Sequence, residues 1–148
     1  MNSYSFYQIS KSPLDKILPS LLYKIYAQLK KPMMLLVEDS DVTKYDALFW
    51  TFSTNKFLPH GTEANDSDYY KYLLITSKSQ NINKSEILIA KDEVSEEFAQ
   101  NFKKIIYLFD DNHPNLAKFK DKYQQEKQNK PKNTLFWQQD EKGKWANK

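Results

Sequence analysis

Four aspartates could hold a metal ion, because they follow two stretches that the sequence predicts to be buried strands. Asp39 and Asp41 come after one apolar run, and Asp110 and Asp111 come after another. In a parallel sheet the carboxyl ends of the strands form the ligand-binding edge. Carboxylates gathered there are typical Mg²⁺ ligands in phosphoryl-transfer or nuclease-like enzymes. Both clusters also precede predicted helices, where acids interact favourably with the helix dipole. We expect helix capping, and a magnesium-dependent α/β enzyme remains the alternative.

The composition excludes several kinds of catalytic or cofactor site. The chain has no cysteine, which removes disulfide scaffolds, thiolate zinc sites and cysteine nucleophiles. Its two glycines, Gly61 and Gly143, lie too far apart for a Walker loop or a dinucleotide-binding turn. Its two histidines, His60 and His113, have no nearby serine with an orienting acid, so both are expected to be structural. We therefore expect no cofactor, no metal and no catalytic residue.

An aromatic segment is the first candidate for a binding surface. Four large rings fall within ten residues, outside any clean helical or strand period: Phe49, Trp50, Phe52 and Phe57. The end of one helix can bury about half of them. The remainder predicts an exposed aromatic patch, which usually marks a surface for a protein partner. The alternative is that all four rings belong to a satellite core beneath a loop.

A lysine-flanked tyrosine is the second candidate. Five side chains of the helix predicted over 114–128 fall within about a third of its circumference: Leu116, Phe119, Lys120, Tyr123 and Lys127. Here the ring could pack an apolar anchor while the ammonium groups meet the carboxylates of an acidic peptide. Lysines that extend past a core tyrosine would give the same pattern.

The charge distribution adds to the second candidate. All 22 cations are lysines, and residues 118–148 hold nine of them against four acids, a net charge of +5. Residues 1–117 carry a net charge of −2. This asymmetry favours an acidic partner for the C-terminal part. A lysine-rich solvated tail and direct binding of single-stranded DNA by this part are the alternatives.

The elements that position these residues follow from the hydrophobic pattern. Short apolar runs predict five strands, at 33–37, 72–76, 87–90, 105–109 and 135–139. An alternating stretch rich in aromatic residues predicts a further strand at 3–9. Helical spacing predicts helices at 18–30, 41–49 and 114–128 and a short amphipathic helix at 93–102. The first follows a short turn capped by Ser12, because Pro19 interrupts the pattern, and the second is capped by Ser40 or Asp41. A turn is expected at 141–144.

This order predicts one α/β domain over residues 1–148. We expect a mostly parallel sheet flanked by helices, Rossmann-like in order but without a nucleotide-binding glycine loop. No apolar run reaches the roughly 18 residues that span a bilayer, and the N-terminus lacks signal-peptide features. We therefore expect a cytoplasmic protein without a membrane partner.

These features together resemble the chi subunit family of bacterial DNA polymerase III. The resemblance rests on Phe6-Tyr7, on the helix over 13–31 leading into 33–37, and on the lysine-flanked Tyr123. Its most specific elements are the Trp-Thr-Phe and Phe-Leu-Pro-His-Gly sequences within 48–61 and the segment 137–145. It implies an α/β, non-catalytic adaptor in DNA replication. Such an adaptor pairs with the psi subunit of the clamp-loader assembly and binds the acidic C-terminal tail of single-stranded-DNA-binding protein, so it meets DNA only indirectly.

The resemblance also implies which residues do this. Trp50 and Phe57 match the positions that face psi, and Lys120 and Tyr123 match those that grip the acidic tail. Gln124 stands where better-known members have a basic residue, and Lys120 where arginine is familiar. Lysine cannot make the bidentate contact that arginine makes with a carboxylate, so we expect weaker tail binding. Because many bacteria with a chi-like protein have no recognisable psi, another clamp-loader protein or a helicase is the alternative partner.

Overall fold

The computed structural model of the chain describes residues 2–11, 13–64 and 68–147. The described strands are Ser3–Ile9 (β1), Met33–Leu36 (β2), Gly61–Thr62 (β3), Leu73–Thr76 (β4), Ile87–Ala90 (β5), Lys104–Asp110 (β6), Thr134–Gln139 (β7) and Trp145–Asn147 (β8). The described helices are Leu14–Leu29 (α1), Val42–Thr51 (α2), Glu96–Ala99 (α3) and Leu116–Asn129 (α4).

All strands join one sheet in the order β3-β4-β2-β5-β6-β1-β7-β8. Every neighbouring pair is parallel except β7 and β8, which are antiparallel. The central strands are buried on both sides, which explains their continuous apolar runs. The predicted α/β class, with a mostly parallel sheet flanked by helices, is confirmed.

The two faces of the sheet carry separate cores. Helices α1 and α2 pack on one face, where Leu22 and Phe49 meet alternate strand residues such as Leu35. Helices α3 and α4 pack on the other, where Phe119 meets the alternating residues of β6, including Tyr107. Because α2 and α4 cover opposite faces, the two candidate binding segments also lie on opposite sides of the sheet.

The predicted start of the first helix is wrong. Helix α1 begins at Leu14 and continues through Pro19, which is buried. A proline inside a helix removes one backbone hydrogen bond and costs about 3 kcal/mol. The buried side chains on this face, Leu18, Leu21, Leu22 and Ile25, outweigh that cost. Ser12, the expected cap, lies outside the described residues, and Pro13 occupies the N-cap position without a side-chain bond.

Other boundaries also differ from the prediction. The helix expected over 93–102 is confined to four residues, Glu96–Ala99, and the one expected from Pro114 begins at Leu116. Two short edge strands, β3 and β8, were not predicted. The turn at 141–144, before β8, was predicted, and Gly143 supplies the positive φ of 81° that this turn requires.

Candidate functional site

The acidic end of the sheet does not gather its carboxylates into one site. Strand β5 lies between β2 and β6, so the aspartates that follow β2 and those that follow β6 start about 10 Å apart. Asp39 accepts a hydrogen bond from Ser77, and Asp111 accepts bonds from Gln8 and Ser10. Among residues 2–11, 13–64 and 68–147, no group of three or more histidine or acidic side chains is placed to hold a metal ion.

The capping expected of these aspartates is not made by their side chains. Asp41 holds the N-cap position of α2 but makes no side-chain capping bond, and its carboxylate lies 4.0 Å from the Lys91 ammonium. Asp110 accepts from the backbone N–H of Asn112 in a turn, and Asn115 holds the N-cap position of α4. Asp39 and Asp41 do lie in the first turn of a 3₁₀ helix, so the expected dipole interaction remains.

A hydrogen-bonded network at this end of the sheet ties α1 to α2. The Tyr45 hydroxyl donates to Asp15 at 2.8 Å and accepts from the Lys91 ammonium at 2.7 Å, and Lys44 pairs with Asp15 at 2.7 Å. Burial acts to raise the pKa of Asp15, but the bonds from Lys44 and Tyr45 outweigh it, so the pKa is lowered. Burial and the Asp15 bond raise the pKa of Tyr45 far above its ordinary value. These groups satisfy one another, which is a structural role.

Three exposed rings at the β3 edge form what we call the aromatic patch, made of Trp50, Phe57 and Tyr69. Their side chains are 47%, 49% and 41% exposed. The Phe57 ring lies 5.7 Å from the Trp50 ring and 5.4 Å from the Tyr69 ring, and Trp50 lies 6.4 Å from Tyr69. The rings therefore form one continuous apolar surface.

Helix α2 and the loop after it bury some rings of the aromatic segment and leave others exposed. Phe49 is buried in the core, and Phe52 is half-buried against Tyr23. Leu58 is fully buried and anchors the loop, which leaves its neighbour Phe57 on the outside. The expectation that about half of the four rings stay exposed is confirmed. Tyr69 was not predicted from the sequence, because the 3₁₀ turn that carries it brings it to the patch from twelve residues beyond Phe57.

The predicted tail-binding residues share one side of α4. Tyr123 is half-buried and meets Phe6 and Phe136 edge-on, with ring centroids 5.7 and 5.0 Å away. Lys120 and Gln124 flank it and are exposed. Tyr123 is thus fixed by the core while its outer side remains open, and the charge beside it comes from Lys120.

The other lysines of α4 are more constrained. Lys127 donates to the carbonyl oxygens of Pro131 and Thr134 at 3.0 and 3.2 Å, so it ties the end of the helix to β7. Lys122 is buried on the opposite side, where it pairs with Glu96 and with Glu126 and lies over the Tyr4 ring. Lys120 is therefore the cation of this side that the fold leaves most available.

Comparisons with known proteins agree with the resemblance drawn from the sequence. The family model described as DNA polymerase III chi subunit, HolC, matches residues 1–132. The chain belongs to this family. It is also similar to a probable DNA polymerase III subunit chi of Rickettsia prowazekii (strain Madrid E). The two are 27% identical over 117 residues, which cover 74% of this chain and 71% of that protein.

Membership makes this chain an accessory subunit of polymerase III and a protein of DNA replication. The family match includes α2, the aromatic patch and all of α4, but it ends before the segment 137–145 on which the resemblance partly rested. No helix of the described residues has the length and apolar character that crossing a membrane requires.

Proposed function

We propose that this chi-family chain is a non-catalytic adaptor with two partner sites. The aromatic patch binds the clamp-loader assembly, through psi or through another clamp-loader or helicase protein. The α4 surface of Lys120, Tyr123, Gln124 and Lys127 binds the acidic C-terminal tail of single-stranded-DNA-binding protein. The observation that carries the proposal is the separation of these surfaces. The patch lies at the β3 edge, and α4 packs on β1 and β7, five to six strand spacings or about 25 Å away. One chain therefore has room for both partners at once.

The chemistry of the patch suits a protein partner. Clustered, half-exposed Trp, Tyr and Phe rings are the residue types that dominate binding energy at protein interfaces. They are already packed against one another, so little side-chain freedom remains to be lost on binding.

The chemistry of the α4 surface suits an acidic peptide with an apolar anchor. The fixed ring of Tyr123 offers a flat apolar surface, and the Lys120 ammonium stands one turn away for a carboxylate. Exposed lysine pairs contribute only about 0–1 kcal/mol each, so the apolar anchor provides much of the affinity. We expect a dissociation constant near micromolar, about −8 kcal/mol.

Charge reversal at Lys120 tests the tail site. A peptide with the tail sequence is titrated into the wild type, Lys120→Glu and Lys118→Glu, with binding followed by fluorescence anisotropy. Lys118 is a matched control, because it is also exposed on α4 but points about 160° away around the helix. We expect Lys120→Glu to weaken binding up to about 30-fold, because one attraction is replaced by one repulsion, and Lys118→Glu to weaken it only slightly through the general field. Equal effects of the two reversals would refute a local site at Lys120.

A further inference from the structure

His60 lies fully buried behind the aromatic patch and has an acceptor at each ring nitrogen. Its Nδ1 is 2.7 Å from the carbonyl oxygen of Leu58, and its Nε2 is 3.1 Å from the carbonyl oxygen of Asp46. A carbonyl oxygen only accepts hydrogen bonds, and a neutral imidazole carries one N–H. Both bonds are therefore made only when the ring carries two protons and a positive charge.

The carboxylate of Asp46 supplies the matching negative charge. Its Oδ1 atom lies 3.2 Å from Nε2 of His60. That oxygen is buried and has no hydrogen-bond partner of its own in the described residues. A buried carboxylate oxygen without a partner is costly. A cationic imidazole beside it removes that cost. The unpartnered carboxylate oxygen therefore supports the doubly protonated state of the ring.

The imidazole also supports the Trp50 side chain. Its centroid lies 4.6 Å from the Trp50 ring and 5.5 Å from the Phe49 ring, which meets it edge-on. Asp46 and Trp50 are four residues apart on α2 and so lie on the same side of the helix. A cation at this distance from an indole face is attracted to it.

We infer that His60 is the positioning residue of the aromatic patch: as a doubly protonated imidazole it links the loop to α2 and holds the Trp50 ring in its exposed position. As pH rises the ring loses one proton, and one of the two bonds becomes a contact between lone pairs. The titratable group against it is Asp46 on α2; Tyr69 packs on Trp50, and Tyr70 lies against the neighbouring Gly61. The imidazole is the group whose change of protonation alters these contacts.

The second histidine provides an internal control. Nδ1 of His113 accepts the backbone N–H of Asn115 at 2.9 Å, so it carries no proton, and Nε2 is 2.9 Å from the carbonyl oxygen of Lys91. His113 is thus placed as a neutral ring with its proton on Nε2, although Asp92 lies 3.0 Å away. The two imidazoles of this chain should therefore differ in protonation at the same pH.

Long-range ¹H–¹⁵N NMR on the ¹⁵N-labelled full chain tests the inference directly. At about pH 6 we expect two protonated nitrogens for His60 and one for His113, with His113→Gln used for assignment. The chemical shift of the Trp50 indole N–H, assigned with Trp50→Phe, should change with pH at the same midpoint as the His60 ring resonances. Asp46→Asn keeps the backbone acceptor and removes the charge, so it should move the His60 midpoint to lower pH. A singly protonated His60 at that pH, or a midpoint unchanged by Asp46→Asn, would overturn the inference.

A binding measurement distinguishes this inference from the proposed function. Only the expected effect of His60 on partner binding rests on the proposed function. If the patch binds the clamp-loader complex, affinity should fall about tenfold between about pH 6 and pH 8 as the support of Trp50 is lost. Absence of binding at every pH would contradict the proposed function and leave the NMR result to decide on His60. Binding that is independent of pH, with His60 titrating in this range, would overturn the inferred positioning role.

Discussion

Truncation of Phe57 should abolish or greatly weaken binding to the clamp-loader partner while the fold survives. In the free chain the Phe57 side chain is 49% exposed, so Phe57→Ala forfeits about half of the roughly 2–3 kcal/mol that full burial of such a side chain provides. The unfolding free energy should therefore fall by only about 1 kcal/mol. In the complex the exposed half becomes buried, which adds about 1–1.5 kcal/mol to affinity.

A ring contact with the partner increases the effect on binding. Trp50 and Tyr69 already hold Phe57 in the free chain, so those contacts do not add to affinity. An aromatic side chain of the partner packed on Phe57 contributes about 0.5–1.5 kcal/mol beyond its buried area. The expected loss is about 2–3 kcal/mol, which is a 30- to 150-fold weaker complex. Larger losses, up to about 4 kcal/mol, are within the range of interface anchors.

Calorimetric titration with the purified clamp-loader complex measures this loss, and circular dichroism with thermal unfolding checks the fold. Trp145→Ala is a suitable control, because Trp145 is a half-buried aromatic residue on β8, at the opposite edge of the sheet. It should leave binding unchanged. If Phe57→Ala is folded and binds its partner like the wild type, the patch is not the interface and the reasoning fails.

Three further predictions concern the α4 surface and the core. Gln124→Lys adds a cation beside Lys120, so the tail peptide should bind up to about fivefold more tightly in anisotropy titrations; weaker binding would contradict the charge argument. Raising the salt concentration should weaken tail binding without abolishing it, because the apolar anchor at Tyr123 is not screened; complete loss would indicate a purely electrostatic contact. Burial raises the pKa of Tyr107 to about 12, so folding stability should fall as pH rises from about 10 to 12, by up to about 3 kcal/mol. Tyr107→Phe costs about 1–3 kcal/mol at neutral pH because the Val94 N–H loses its acceptor. In denaturant titrations it should make the alkaline fall smaller without abolishing it, because burial also raises the pKa of Tyr4, Tyr7 and Tyr45; an alkaline fall as large as that of the wild type would place its cause elsewhere.

The fold class could be predicted from the sequence because the central strands are buried on both faces. Runs such as 87–90 and 105–109 have no polar alternation, and that pattern is specific to covered parallel strands. The edge strands β3 and β8 have two and three residues, too few for any period. The continuation of α1 through Pro19 was not predicted, because the sequence shows only the local cost of a proline in a helix. The burial that outweighs this cost depends on tertiary packing.

The candidate site was partly predictable for the same reason. The excess of rings near Trp50 indicated that some must stay outside, and the spacing on α4 placed Tyr123 beside Lys120. No sequence pattern indicated Tyr69, because its place in the patch depends on the 3₁₀ turn after β3. It also could not show that Lys127 bonds to carbonyl oxygens near β7, or that the two acidic clusters are separated by β5. The first two depend on how the chain turns after β3 and after α4, and the third depends on the strand order.

Bridging of the two partners is the most direct test of the proposed adaptor role. An immobilised acidic-tail peptide is incubated with the purified clamp-loader complex of the same organism, with and without this chain. The complex should be retained only when the chain is present. The Phe57→Ala variant should be retained on the peptide without the complex. With the Lys120→Glu variant, retention of both the chain and the complex should be much lower than with the wild type. Displacement of the chain from the peptide by the clamp-loader complex would contradict the adaptor role, because the two partners would then compete for the chain instead of binding it together.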